Sequence, residues 1–566
     1  MNRGLSRTLT VWFSIWLLAP ICGSLFGQRF HPSDPMRVDD DRLIDVVAEP
    51  AELELSDMFD RFSNMFLPLG EPGFSEALNV NSLGEVPDSS WFTNRHCFNR
   101  MKTDALCKGP NFTAPPDVDS DWMVFRGKSQ GVTPGFHIED SKGDRYVIKF
   151  DPIQAPELAT AAEIIATRIF FALGYNVPEN YIVYVDPKRF KIREGTRVTN
   201  RFGDKVPLTE TRLRRMLAKV HVTEEGLMRV TASKYIPGRP IGPFRYFGTR
   251  SDDPNDVIPH EQRRELRGLR LFAAWTNHDD TRAQNTQDSW IEEEGRRFIR
   301  HYLMDFGSTF GSGSVKIQDG YLGFYYSIPL DLLKENALRF GLNTPIYRKV
   351  DWPDFPEFRA IGRWESENFD PVRWRNDYRN AAFIRMTAQD AFWAARTLMS
   401  FSSEDLWAIV RTGQFTRGED ERYFYKVLLE RQRKCGEWGV NLLNPVDVFG
   451  VRDSSLTFKN LSEHFGFTAP DSTLYEIVWH EFDNIASRTV RRLGGALQTR
   501  EESAALPPLP KPQGGSEPFL LAEIRSIHPD FEHWARPVRV YLRPNGSTFE
   551  IVGVERESPL ETIPMD

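Results

Sequence analysis

Residues 277 to 285 read NHDDTRAQN, and residues 301 to 308 read HYLMDFGS. The first stretch holds two adjacent carboxylates (Asp279 and Asp280), a cation at Arg282 and an amide at Asn285. The second ends in an isolated Asp-Phe-Gly beginning at Asp305. Metal-assisted phosphoryl transfer asks for these residue types in this order. Such chemistry gives a protein little covalent work: it must hold a triphosphate, place one or two divalent metals and orient the acceptor oxygen. Mg²⁺ takes hard oxygen ligands. Asp305, at a strand end beside Gly307, suits one metal, and the Asn285 amide oxygen suits a second. Asp280, five residues before Asn285, can accept or orient the acceptor proton. Arg282 can steady the transferred phosphoryl group.

Those groups need a phosphate-holding counterpart upstream. Lys149 lies on an expected strand (RYVIKFD) just after a loop carrying Gly127, Gly131 and Gly135. Glycines there permit close backbone approach to phosphate. A lysine so placed needs an acidic partner to fix its direction, and Glu163, mid-helix, is the choice. Glu157, in the first turn of the same helix, serves the helix dipole.

The elements that must position these residues are legible in outline. WMVFR, FHIED, RYVIKFD, YIVYVD and MRVTASKY read as strands, with SKGD as a turn. PELATAAEIIATRIFFALG reads as a helix with Pro156 in its first turn, one apolar stripe and Gly174 at its end. A helix over about 260 to 275 leads straight into NHDDTRAQN. TQDSWIE and RRFIRHYLM are strands joined by EEGR, and DFGS closes the second. From about 330 to 500 the chain reads as mainly helical with Trp and Phe anchors, LYEIVWHEFDNIASRTV included. RVYLRPNGSTFEIVGVE reads as a terminal hairpin.

This set is similar to the protein-kinase-like superfamily. Asp280, Arg282 and Asn285 resemble the D-x-K-x-x-N catalytic loop. VIKFDP with PELATAAEIIATRIFFALGYNVPE resembles the atypical branches: HipA-like, secretory-pathway Golgi and spore-coat CotH kinases. The resemblance covers about residues 120 to 315. It implies an α+β, two-lobed protein-kinase-like fold, ATP as cofactor with Mg or Mn, and a protein or small-molecule hydroxyl acceptor. An N-x-D context would favour Asp279, with Asn277, as the catalytic carboxylate, whereas spacing to Asn285 favours Asp280.

At 566 residues the chain exceeds one ordinary core. The expected division is a signal peptide or membrane anchor at 1–27, an irregular arm at 28–118, a small nucleotide-binding lobe at 119–238 and a large lobe with helical extension at 239–503. A Pro/Gly linker at 504–517 and a β-hairpin segment at 518–566 complete it. Arg3 and Arg7 precede an apolar run from Leu9 to Phe26, with small residues at Gly23, Ser24 and Gly27. Export to the periplasm or exterior is therefore expected, with an uncleaved membrane tether as the alternative. In an oxidising compartment Cys97 and Cys107 can pair, leaving Cys435 buried. The net charge of −8 argues against nucleic acid. The basic runs TRLRRMLAK and EQRRELRGLR read as solvated helix faces.

Two rival readings differ in class. One is a catalytically inactive kinase-like scaffold of the envelope. The other is a metal-dependent hydrolase using His278, Asp279, Asp280, His301 and Asp305. Adenylyl transfer is a variant of the first chemistry. Oligomeric state is not encoded in any motif.

Overall fold

The structure is a computed structural model that describes residues 27–38, 41–67, 69–70, 75–127, 135–199, 204–338, 344–353, 360–508 and 518–558. Residues 1–26 of the expected signal segment, and Gly131, lie outside these residues. Among the described residues no helix is long and apolar enough to cross a membrane.

The arm carries two short helices, α1 (Asp57–Phe66) and α2 (Thr103–Lys108). Ser56 caps α1 through its side chain. The arm does more than pack on one neighbour. Phe30 sits among Phe482, Phe519 and Tyr541 near the C-terminus, while Trp91 and Phe92 enter the large-lobe core.

The small lobe begins with β1 (Trp122–Gly127), β2 (Gly135–Glu139) and β3 (Arg145–Phe150). Helix α3 (Leu158–Leu173) and β4 (Asn180–Val185) follow. Then come β5 (Phe190–Ile192), the ribbon β6 (Arg197–Thr199) and β7 (Lys205–Pro207), α4 (Glu210–Leu217) and β8 (Met228–Lys234). The six-stranded sheet runs β4-β8-β3-β2-β1-β5 and is antiparallel except for the β1–β5 pair. Trp122, Phe136, Ile148 and Val230 fill its core. The single stripe expected on α3 is a correction: all its residues are buried, because arm and large lobe cover the faces the sheet leaves. Pro156 precedes this helix, and Glu157 is its N-cap in the left-handed region (φ 72). The Glu157 carboxylate accepts the Thr416 amide proton at 3.0 Å.

A short strand β9 (Arg239–Pro240) joins the lobes. Helix α5 (Arg264–Thr276) and the hairpin β10 (Thr286–Glu293) and β11 (Arg296–Leu303) frame the loop of residues 277–285. Helices α6 (Leu330–Leu338), α7 (Ala381–Ile384), α8 (Ala388–Leu398), α9 (Ser403–Arg411) and α10 (Gly418–Asn441) complete the large lobe. The solvated reading holds for α4, whose Arg212, Arg214 and Arg215 are exposed, and fails for α5. Arg263, Arg264, Arg267 and Arg270 are all at most 3% exposed. Buried charge is tolerable only with partners. Asp390 takes Arg264 at 3.0 Å and Arg267 at 3.3 Å, Arg263 lies over the Trp91 ring at 4.7 Å, and Arg270 donates to the Val372 carbonyl at 2.8 Å.

Beyond Asn441 the expected helices give way to strands. β12 (Val446–Arg452), β13 (Ser455–Asn460) and β16 (Ser503–Ala505) form one small sheet, with the turn of helix α11 (Leu461–His464) and the hairpin β14 (Leu474–Asp483) and β15 (Arg488–Thr499) between. LYEIVWHEFD is β-structure because Tyr475, Ile477 and Trp479 alternate onto one buried face, a period of two. The terminal hairpin, β18 (Val538–Asn545) with β19 (Thr548–Arg556), does not stand alone. With β17 (Phe519–Ile527) it extends that sheet in the order β15-β14-β17-β18-β19. The expected linker likewise begins inside β16, and residues 509–517 lie outside the description.

Cys97 and Cys107 are free thiols, which corrects the expected pairing; Cys107 Sγ lies 3.5 Å from the Ala408 carbonyl. Cys435 is buried, as expected.

Candidate active site

Between the lobes, Lys149 Nζ donates to Glu163 Oε2 at 2.8 Å and to Asp305 Oδ1 at 2.8 Å. The antiparallel register sets Lys149 between Gly135 and Thr231. Asp151, two residues on, accepts the Ala159 and Thr160 amide protons at 2.9 Å each, tying the lysine strand to the start of α3. From the start of β4, Asn180 Nδ2 donates to Glu163 Oε1 at 3.3 Å, and the Phe306 amide donates to the same oxygen at 3.2 Å. Glu163 thus holds both the lysine and the Asp-Phe-Gly segment. Burial opposes the Lys149 charge, but the carboxylates of Asp305 and Glu163 outweigh it and raise the lysine above its ordinary range.

Asp305 has φ 62, an uncommon conformation for a residue other than glycine. Phe306, fully buried, stacks on Phe170 of α3 at 4.9 Å and lies 5.4 Å from His278. The phenyl ring locks the turn while the preceding carboxylate keeps 29% of its side-chain surface exposed.

Facing it, α5 ends with Asn277 in the left-handed region. Asn277 accepts from Trp374 Nε1 at 2.9 Å and donates to Gln318 Oε1 at 2.8 Å, so it braces the loop. Asp279 is 5% exposed, and its carboxyl is pushed well above the usual range by burial, then by the charges of Asp280 and Asp377. Asp280 keeps 19% side-chain exposure. Burial raises its carboxyl to about 6, with Arg282 pulling down and Asp377 pushing up. The Arg282 Nε lies 2.6 Å from Asp280 Oδ1, a close ion contact rather than an aligned hydrogen bond. Asn285 Nδ2 donates to the Asp280 carbonyl at 2.8 Å, and the Met304 amide donates to the Asn285 carbonyl at 3.0 Å. That second bond draws the loop against the Asp-Phe-Gly strand.

Gly135 lies across from Lys149, whereas a side chain at Gly127 would meet Val198 at 2.5 Å; Gly127 therefore serves packing. The hydrolase set is not assembled. His278 is enclosed by Phe170 and Phe306, with burial pushing it down to about 3, and His301 stacks on Trp91 and bonds Asp288 at 2.7 Å.

Two contributors carry no motif. Asp377 gives its amide proton to the Asp279 carbonyl at 2.7 Å, and its carboxylate pairs with Arg61 at 2.9 Å and faces Arg282 at 3.8 Å. Asp57 of α1 meets Arg282 at 3.1 Å. The arm thus reaches the loop of residues 277–285.

Asp305 and Asn285 offer the hard oxygens that Mg²⁺ or Mn²⁺ takes. Among the described residues no group of three or more His, Cys, Asp or Glu is arranged to hold a metal. A cation here would complete its shell with phosphate and water oxygens, the ordinary case for Mg²⁺ at a nucleotide.

The two lobes with this site between them define a kinase-like α+β fold. No protein-family model matches the chain, and no curated protein matches it. Among solved structures it is similar to the Helicobacter pylori proinflammatory kinase CtkA, at 12% identity over 58% of this chain and 99% of that chain, with a TM-score of 0.31. Superposition that loose assigns no residue.

Proposed function

We propose that the chain is an exported, atypical kinase-like phosphotransferase that moves the ATP γ-phosphoryl group to a hydroxyl of a protein or small molecule. The observation that carries this is the bridge of Lys149 to both Glu163 and Asp305, with Asp280 and Asn285 bonded together on the loop opposite. A bound metal–nucleotide would supply the phosphoryl group and screen its charge. Lys149, aimed by Glu163, would hold phosphate oxygens, and Asp305 with Asn285 would hold Mg²⁺ or Mn²⁺. Asp280 is the accessible proton acceptor of the adjacent pair, because it keeps exposed surface while Asp279 is enclosed and its carboxyl is pushed up by burial. Arg282 keeps Asp280 ionised and lends positive charge beside the reacting group. Export rests on the apolar run from Leu9 to Phe26 after Arg3 and Arg7.

Titration calorimetry of ATP with Mg²⁺ or Mn²⁺ tests this. Metal-dependent binding should be lost in Lys149→Ala and Asp305→Ala. Binding that persists in Asp305→Ala removes the metal assignment, and no binding in the parent chain leaves the scaffold reading. AMP rather than phosphate on a product would make the transfer adenylyl.

A further inference from the structure

The large lobe holds a second cavity, of about 1230 Å³, that this chemistry does not use. Its nearest approach to the catalytic loop is Asn277. Six cationic side chains line it against three carboxylates, in a chain whose net charge is −8. The carboxylates are partly spent: Asp370 faces Arg373 at 3.7 Å, and Glu365 accepts the Asn368 amide proton at 2.8 Å. Arg431 is held by three backbone carbonyls, but others of the cations are less satisfied. Arg363 donates to the Gln318 carbonyl at 2.6 Å while its Nε is buried without a partner. Arg375 donates to the carbonyls of Val372 and Trp374, both at 3.2 Å. Lys349 stands exposed on the wall. Guanidinium groups resting on neutral carbonyls form stronger, charge-assisted bonds with carboxylate or phosphate.

Aromatic rings line part of the rest, Phe324, Trp352, Trp374 and Trp438 among them. Such faces take aromatic or aliphatic groups. The volume exceeds the roughly 300–1,000 Å³ of a small-molecule site, which suits a length of polypeptide. The wall is also wired to the site: Trp374 bonds Asn277 at 2.9 Å, and three residues on, Asp377 bonds Asp279 at 2.7 Å.

We propose that this cavity docks an acidic, aromatic-containing segment of a polypeptide, which makes the acceptor a protein; this rests on the phosphotransferase reading above. The probe is a fluorescein-labelled peptide of alternating Glu and Phe, titrated by anisotropy into the full chain without nucleotide. A Lys/Phe peptide is the charge control. The Glu/Phe peptide should bind, and the Lys/Phe peptide should not. Lys349→Glu combined with Arg373→Glu, both exposed positions, should weaken binding about tenfold or more, as should Arg363→Gln. Equal binding of the two peptides, or parental affinity in the variants, overturns the proposal. So does binding of inorganic pyrophosphate with none of the Glu/Phe peptide. ATP calorimetry on the same samples separates the readings. Lost peptide binding with ATP binding intact removes only the docking cavity. Peptide binding without ATP binding supports the cavity and removes the phosphotransferase.

Discussion

Replacing Arg282 by Gln removes the cation closest to the proposed base. Asp280 is held at about 6, where burial and Arg282 oppose each other. A unit pair at about 4 Å between charge centres is worth about 1 kcal/mol in water and about 4 kcal/mol at an effective dielectric of 20. Both side chains keep about a fifth of their surface, 20% and 19%, so solvent screening selects the lower part of that span, about 1–2 kcal/mol. That is roughly 0.7 to 1.5 pKa units. A protonated Asp280 cannot accept a proton, so activity falls as pH drops through its pKa. The acid limb of kcat/KM for ATP turnover, with water as acceptor, should therefore move from near 6 in the parent to about 7 or above in Arg282→Gln. Asp57→Asn cuts the arm's hold on Arg282 but leaves the Asp280 contact, and should keep its limb near the parental one. A limb in Arg282→Gln at or below the parental position would refute the pairing. The same shift carries a stability signature. The folded chain binds this proton more tightly than the unfolded chain, so Asp280's contribution to stability declines as pH rises from about 3.8 to about 6.

Other expectations are structural. Asp390→Ala strips the fully buried carboxylate from Arg264 and Arg267 and opens the capping box with Thr387. It should cost about 3–5 kcal/mol, read as a lower urea midpoint by tryptophan fluorescence; an unchanged midpoint would show the arginines find other partners. Gly174→Ala forces a side chain at φ 129 to within 2.3 Å of the Phe92 ring, for a loss of about 1–3 kcal/mol. Thermal unfolding checks it, and parental stability would mean the arm does not sit on that turn. Unfolded without reductant, Cys97 and Cys107 should each take up maleimide; a mass showing them crosslinked would contradict the free thiols.

What the sequence disclosed follows from locality. Lys149 sits on a strand of alternating burial and Glu163 on a helix closed by Gly174, so both elements were marked by their own periodicity and ends. The four arginines of α5 were misjudged because their partners are remote: Asp390 and Trp91 lie more than a hundred residues away in the chain. Spacing with Leu says which residues share a helix, not which face meets water once a second layer covers it. β14 was misjudged for a different reason. Trp and Phe anchor helices and strands alike, and the period-two order of Tyr475, Ile477 and Trp479 is the better guide. Asp377 had no local signal at all, since its role depends on a backbone bond to a loop nearly a hundred residues earlier.

The arm's course sets an order of assembly. Phe30 lodges among Phe482, Phe519 and Tyr541, and its amide and carbonyl are bonded by Asn484. Farther along, Asp57 and Arg61 grip the 277–285 loop and its neighbour Asp377. During synthesis the early segment has no seat until Tyr541 leaves the ribosome. Asp57 and Arg61 can grip the loop that would do chemistry once Asp377 is made, whereas Phe30 finds its full seat only after nearly all of the chain has been made.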